Sequence, residues 1–290
     1  MADSFEIDVT ILSDPGRVRS HNQDSVSVCE PADRAALSRS GRLYIVADGA
    51  GGVGGARSGE IASRYAVLKV KDLYYASGNS DAPAGERLRT SMLATNDAIR
   101  EHCRRPGQNI RMATTMVAAI ARGRELTIAN VGDSRAYLMR DSVIQQVTQD
   151  HSLVAGLLAN GVITPEEATS HPQRNVILHS LSSAPHDPRI DLFPLTLQLG
   201  DTVLLCTDGL TRYLDDQQLL ALLTHEPRDR AAHRLIAAAN ASGGADNISV
   251  AVLRIKRTAL PPWIWWLLFL SGIGLALISG LAGLLLILGV

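Results

Sequence analysis

Three apolar runs in this chain each meet an aspartate at one end. "YIVAD" stops at Asp48 before Gly49, "TVLLCTD" stops at Asp208 before Gly209, and "DNISVAVL" begins at Asp246. Short β-rich apolar runs of this kind read as buried strands. Antiparallel strands place the end of one beside the start of the next, so this phasing gathers the three acids at one sheet edge. Clustered carboxylates raise each other's pKa unless a proton or a cation intervenes, and a hard divalent ion held by oxygen ligands resolves the conflict. With no Cys/His set nearby, Mg²⁺ or Mn²⁺ fits better than zinc. The glycines after Asp48 lack the Gly-Lys-Ser/Thr ending of a nucleotide P-loop.

The remaining pattern supplies the layers around that edge. Residues 5–12, 24–30 and 41–48 read as strands, and 57–76 and 83–104 as amphipathic helices. Four strand-like segments follow at 114–121, 125–132, 134–140 and 142–148, joined by short turns as an antiparallel meander. Gly132 and Asp133 form one of those turns. Residues 151–188 read as an inserted lobe, in which Thr164, Pro165 and Glu167 spell a capping box. Strands return at 189–196 and 201–207, helices at 215–224 and 228–241, and a last strand at 247–255. Long helices interleaved with antiparallel strand runs predict an α+β fold, with two antiparallel sheets face to face and helices outside.

Composition narrows the partners. The net charge of the 290-residue chain is −1 and no Lys/Arg block stands out, so nothing asks for nucleic acid. Cys29, Cys103 and Cys206 are widely spaced and never form a C-x-x-C pair, which argues against a disulfide framework and a structural zinc site and favours a reducing compartment. From Leu267 to Val290 no residue is charged. As a helix this run would span about 36 Å, against a hydrocarbon core of about 30 Å. Trp263, Trp265 and Trp266 suit the interface before it, and Arg254, Lys256 and Arg257 suit the cytoplasmic side. The expectation is a domain at 1–257, a linker at 258–262 and a single transmembrane helix at 263–290, a C-terminal anchor that leaves the domain in the cytoplasm. Gly272, Ala276 and Gly280 form a small-x-x-x-small face that could pair two such helices into a weak dimer.

Seven motifs in order carry a family resemblance: "SDPGRVRSHNQDS" at 13–25, "VADGAGG" at 46–52, "TTMVAA" at 114–119, "IANVGDSRAYL" at 128–138, "QDHSLV" at 149–154, "CTDGLT" at 206–211 and "GGADNISVAV" at 243–252. The chain resembles the metal-dependent protein serine/threonine phosphatases of type 2C in their bacterial form, over about residues 8–256. The resemblance implies a four-layer αββα sandwich and a phosphatase acting on phosphoserine and phosphothreonine proteins, opposite a cognate serine/threonine kinase. It implies two bound Mn²⁺ or Mg²⁺ ions, with room for a third, that activate water for in-line attack. By the same resemblance Asp48 bridges the metals, the Gly49 carbonyl binds the first, and Asp208 and Asp246 bind the second. Asp24 acts through bound water, Asp133 serves the weaker third metal, and Arg19 holds the substrate phosphate. The lobe at 151–188 is similar to the family's flap.

Three positions depart from the family pattern. Gln23 stands where many members have an acid, Ala50 stands where some have a histidine proton donor, and the loop from Gly51 to Gly59 is longer than usual. Two other functions stay open: a pseudophosphatase scaffold that binds phosphoproteins, and a phosphatase dedicated to one regulatory partner. Keeping Asp48, Asp208 and Asp246 together argues against the scaffold, since a dead domain has no need of three costly carboxylates.

Overall fold

A computed structural model describes residues 5–31, 33–50, 57–77, 81–105, 111–225 and 230–257. The chain divides into a large unit, Ile7–Ile255, and a small one made of Met1–Glu6 with Lys256–Val290. Of the small unit only residues 5–6 and 256–257 are described, so the linker and membrane span expected at 258–290 lie outside the described residues. Among the described residues no helix is long and apolar enough to cross a membrane.

The chain begins with β1 (Phe5–Asp14), β2 (Asp24–Cys29), α1 (Arg34–Ser40), β3 (Arg42–Asp48), α2 (Ser58–Ala76) and α3 (Ala84–Arg104). Then come β4 (Ala113–Thr114), β5 (Met116–Arg122), β6 (Glu125–Val131), β7 (Arg135–Arg140) and β8 (Val143–Gln146). The lobe holds α4 (Leu153–Ala159), α5 (Pro165–Ser170) and β9 (Leu181–Ser182). The chain closes with β10 (Asp191–Thr196), β11 (Thr202–Cys206), α6 (Asp208–Thr211), α7 (Asp216–His225), α8 (Ala231–Ala241) and β12 (Ile248–Arg257). One five-stranded sheet has the order β1-β12-β11-β7-β8, the other β10-β6-β5-β3-β2, and β4 pairs with β9 in a small ribbon.

Side-chain alternation shows why the central strands are apolar throughout. In β3, Leu43, Ile45 and Ala47 pack with Ala62, Ala66 and Val70 of α2 and with Leu88 and Met92 of α3. Tyr44 and Val46 point the other way yet are equally buried. Likewise Leu204 and Cys206 of β11 pack with Leu219, Leu235 and Ala239 of α7 and α8, while Val203 and Leu205 are buried on the opposite face. Contacts of β11 with β3 and β5 show what covers those inner faces: each sheet lies on the other. The large unit is therefore helices, sheet, sheet, helices, as the sequence predicts.

The expected four-strand meander is wrong at its middle. β5 and β6 form a hairpin in one sheet, and β7 and β8 form a hairpin in the other. Both edges of β6 are already taken, by β5 and β10, so β7 must find another partner and pairs with β11. Gly132, at φ +106°, makes the crossing. A Cβ there would collide with Thr115. Two helices escape the periodicity reading because they are too short to show one. In α1 the Asp33 carboxylate caps the N–H groups of Ala35 and Ala36; α6 is a single turn. The predicted capping box is present, with Thr164 Oγ1 accepting from Glu167 N at 3.2 Å and Glu167 Oε2 from Thr164 N at 2.8 Å.

Candidate metal centre

Asp24 opens β2 and Asp48 closes β3, and the antiparallel register sets them directly opposite each other. The end of β3 is pinned by its backbone. The Asp48 N–H donates to Thr115 Oγ1 at 3.2 Å, and the Asp48 carbonyl accepts from Thr114 Oγ1 at 2.7 Å and Thr115 N at 2.8 Å. Thr115 Oγ1 also meets Ser134 Oγ at 2.7 Å, so the crossing between sheets braces the same strand end. Gly49 follows in close backbone contact with Gly59, in the first turn of α2. A Cβ on either would collide with the other's carbonyl, so both positions require glycine.

The second sheet brings its acids to the same end. Asp208 follows β11 and Asp246 precedes β12, and those strands are paired neighbours. Thr207 ties the two sheets together, because its hydroxyl donates to Asp24 Oδ2 at 3.0 Å and accepts from Ser249 N at 3.0 Å. Asp133 enters from the crossing after Gly132. The five expected acids come to the same end of the fold, near enough to act on one another's charge, and two sheets carry them instead of one edge.

Their electrostatics are unfavourable. Desolvation is the largest force on Asp24 and pushes its pKa to about 7, with hydrogen bonds from Ser249 and Thr207 opposing it and the Asp208 and Asp246 charges adding to it. Asp133 also reaches about 7, first through desolvation and then through Asp208 and Asp150. Asp48 is raised well above the carboxylate range by burial and by the charges of Asp24, Asp208, Asp133 and Asp246. Asp24 Oδ1 and Asp208 Oδ1 are buried without a hydrogen-bond partner. Oxygen-only donors, mutual repulsion and orphaned lone pairs are what a hard divalent cation relieves, so the residues fit Mg²⁺ or Mn²⁺. Even so, no three such groups among the described residues stand close enough to form a finished cage.

Two arginines hold part of the cluster instead. Arg19 lays its fork on Asp246, with Nε to Oδ1 at 2.9 Å and Nη2 to Oδ2 at 3.0 Å. Its side chain is half exposed. Arg212 lies 2.7 Å from Asp208 Oδ2 and 3.6 Å from Asp246 Oδ2, and the sequence reading missed it. Its position four residues after Asp208 on a helical turn is the signal that could have found it. Asn247 was missed too. Buried beside Asp246, it accepts from Gln23 N at 2.8 Å and donates to the carbonyls of Pro15 and His21 at 2.9 and 3.0 Å. It thereby fastens the loop carrying Arg19 to the start of β12. Ala50 is exposed, and residues 51–56 of the long glycine loop lie outside the described residues. A cleft of about 790 Å³ runs from Asp133, Asp208 and Arg212 to Ser152, Leu158 and Arg174 of the lobe.

Comparison with known proteins agrees with this fold. The family model described as "Protein phosphatase 2C" matches residues 17–244. A serine/threonine phosphatase stp from Listeria innocua is 36% identical over 253 residues, covering 86% of this chain and 95% of that protein. The crystal structure of the Mycobacterium tuberculosis serine/threonine phosphatase PstP/Ppp superposes with a TM-score of 0.74 at 34% identity, covering 87% of this chain and 99% of that one. A PstP catalytic domain in complex with 2 manganese ions superposes with a TM-score of 0.70 at 31% identity, covering 87% of this chain and 100% of that one.

The raised acids set a pH dependence whose sign is opposite to that of ordinary carboxylates. Asp24 and Asp133 titrate at 3.8 when unperturbed and at about 7 here. Any stability they contribute is therefore complete below the lower value and lost as pH rises through the upper one. In chelator, the thermal midpoint should rise when pH is lowered from about 8 to about 6. Asp48→Asn should raise the midpoint at the higher pH, because it removes a charge that the others repel, and should flatten this slope. Calorimetric melts check both; a slope of the opposite sign in the chelated protein would show that the acids are not mutually repelled.

Proposed function

The chain belongs to the protein phosphatase 2C family and is a protein serine/threonine phosphatase; from that premise we propose that it hydrolyses phosphoserine and phosphothreonine monoesters on cytoplasmic proteins while tethered to the membrane. The observation that carries the chemistry is the convergence of five aspartates from both sheets on one end of the sandwich. Two Mn²⁺ or Mg²⁺ ions fit them, as the two manganese ions of the related PstP domain support. Asp48 and the Gly49 carbonyl would hold the first, Asp208 and Asp246 would join Asp48 on the second, Asp24 would act through water, and Asp133 would serve a weaker third. Such ions lower the pKa of water and neutralise phosphoryl charge.

The chain's own groups do the rest. The threonine contacts that pin Asp48 keep its carboxylate in place without reorganisation during turnover. Arg19 is the candidate for gripping the phosphate, since a guanidinium matches two phosphoryl oxygens, and Asn247 fixes its loop. The adjoining cleft under the lobe has room for residues flanking the target. With Ala50 in place of a histidine, the leaving serine or threonine takes its proton from water or another residue.

The proposed anchor rests on sequence: an uncharged run from Leu267 to Val290, three tryptophans before it, and Arg254, Lys256 and Arg257 before those. A kinase acting on the same cytoplasmic proteins completes the proposed signalling system.

Phosphatase activity on a phosphothreonine peptide should require Mn²⁺ or Mg²⁺ and vanish in excess EDTA. Asp208→Asn should cost at least about a hundredfold in turnover at fixed metal, because it removes a charged ligand; a variant within about threefold of the parent would remove Asp208 from the centre. For the anchor, the full-length chain should sediment with membranes and be released by detergent but not by high salt. Recovery in the soluble fraction would refute the tether.

A further inference from the structure

Arg212 has no part in the roles assigned above, yet its guanidinium sits at the centre of the second carboxylate pair. It follows α6, and its backbone N–H donates to the Asp208 carbonyl at 2.8 Å, so the side chain folds back across one turn onto Asp208 Oδ2 at 2.7 Å. The same group reaches Asp246 Oδ2 at 3.6 Å. The neighbouring residue holds it there: Tyr213 Oη accepts from Ala245 N at 2.9 Å, which ties α6 to the turn leading into Asp246.

An ion pair built only to steady the fold would satisfy its carboxylate. This one does not, for Asp208 Oδ1 is buried with no partner while Oδ2 is bound to the arginine. One oxygen awaits a ligand and the other is held by a cation of the chain itself. A divalent ion drawing on Asp208 and Asp246 must displace that guanidinium or bind close to its positive charge, and either reduces affinity.

We propose that Arg212 is a built-in counter-cation that competes with the divalent metal for Asp208 and so sets the metal concentration at which this part of the centre fills. This rests on the metal-facing role proposed above for Asp208. When displaced, the guanidinium has the cleft it already lines to move into. The chain thereby keeps its second acid pair charge-balanced before metal arrives and gives up affinity in exchange.

The test is a Mn²⁺ titration of the metal-stripped full-length protein in detergent, with free Mn²⁺ read by its electron paramagnetic resonance signal. Arg212→Ala and Arg212→Gln should bind one class of Mn²⁺ at least about fivefold more tightly than the parent, the lower end of typical coupling between two sites. Arg212→Lys keeps the charge and should fall between. Damage to the fold weakens binding, so tighter binding cannot arise from it. The lysine variant, which preserves the charge on a shorter side chain without the guanidinium fork, keeps the test informative if the others fail to fold, since it too must bind more tightly than the parent. Unchanged or weaker binding in any folded variant overturns the inference. Asp208→Asn separates the two ideas: if it leaves Mn²⁺ binding intact, the role given to Asp208 fails; if it weakens binding while the arginine variants match the parent, only the competition fails.

Discussion

Repulsion among carboxylates brought together at the ends of buried strands governs this structure. A central strand covered on both faces can carry charge only where it stops, so apolar β3 and β11 each deliver an aspartate at the rim. Stacking the two sheets then forces those rims together. Asp24 and Asp133 are pushed to about 7 and Asp48 is raised well above the carboxylate range, because burial removes water and each ionised neighbour adds to the penalty. Protons, arginines or metal ions must balance the charge. Among the described residues, Arg19 and Arg212 meet Asp246 and Asp208, and no ion pair reaches Asp24 or Asp48.

The surrounding fold holds the acids in position against that repulsion. Asp48 is fixed through backbone bonds to Thr114 and Thr115, Asp24 through Thr207, and the Asp246 turn through Asn247 and Tyr213. The threonines and Asn247 are short polar side chains bonding to backbone or to the acids, so they lose little conformational freedom. Glycine permits what side chains would prevent: the close approach of Gly49 to Gly59 and the crossing at Gly132. Such preorganisation lets a site stabilise developing charge without moving during the reaction.

Much of this was legible in the sequence. Apolar runs ending in Asp48 and Asp208, and one beginning at Asp246, announced the cluster because strand burial dictates where charge can sit. The long helices α2 and α3 announced themselves by periodicity. What escaped has definite causes. The meander failed at Gly132 because a turn between two strands looks the same whether the chain folds back into its own sheet or crosses to the next. Only the occupied edges of β6 decide that, and they depend on β10, some sixty residues later. Arg212 and Asn247 escaped because their importance lies in what they touch. Arg19 was expected on a phosphate and is found on Asp246, the nearest anion in the chain itself.

The most direct test of the central claim is to count the protons released when Mn²⁺ binds. Titration calorimetry of the metal-stripped protein at about pH 6.5, in buffers of different ionisation enthalpy, yields that number. Acids with pKa values of about 7, as at Asp24 and Asp133, hold protons at that pH and must give them up to a metal. The account predicts release of more than about one proton per chain at saturation, falling as pH rises toward about 8. Saturable Mn²⁺ binding with no proton release at either pH would contradict it, since the carboxylates would then already be ionised without help.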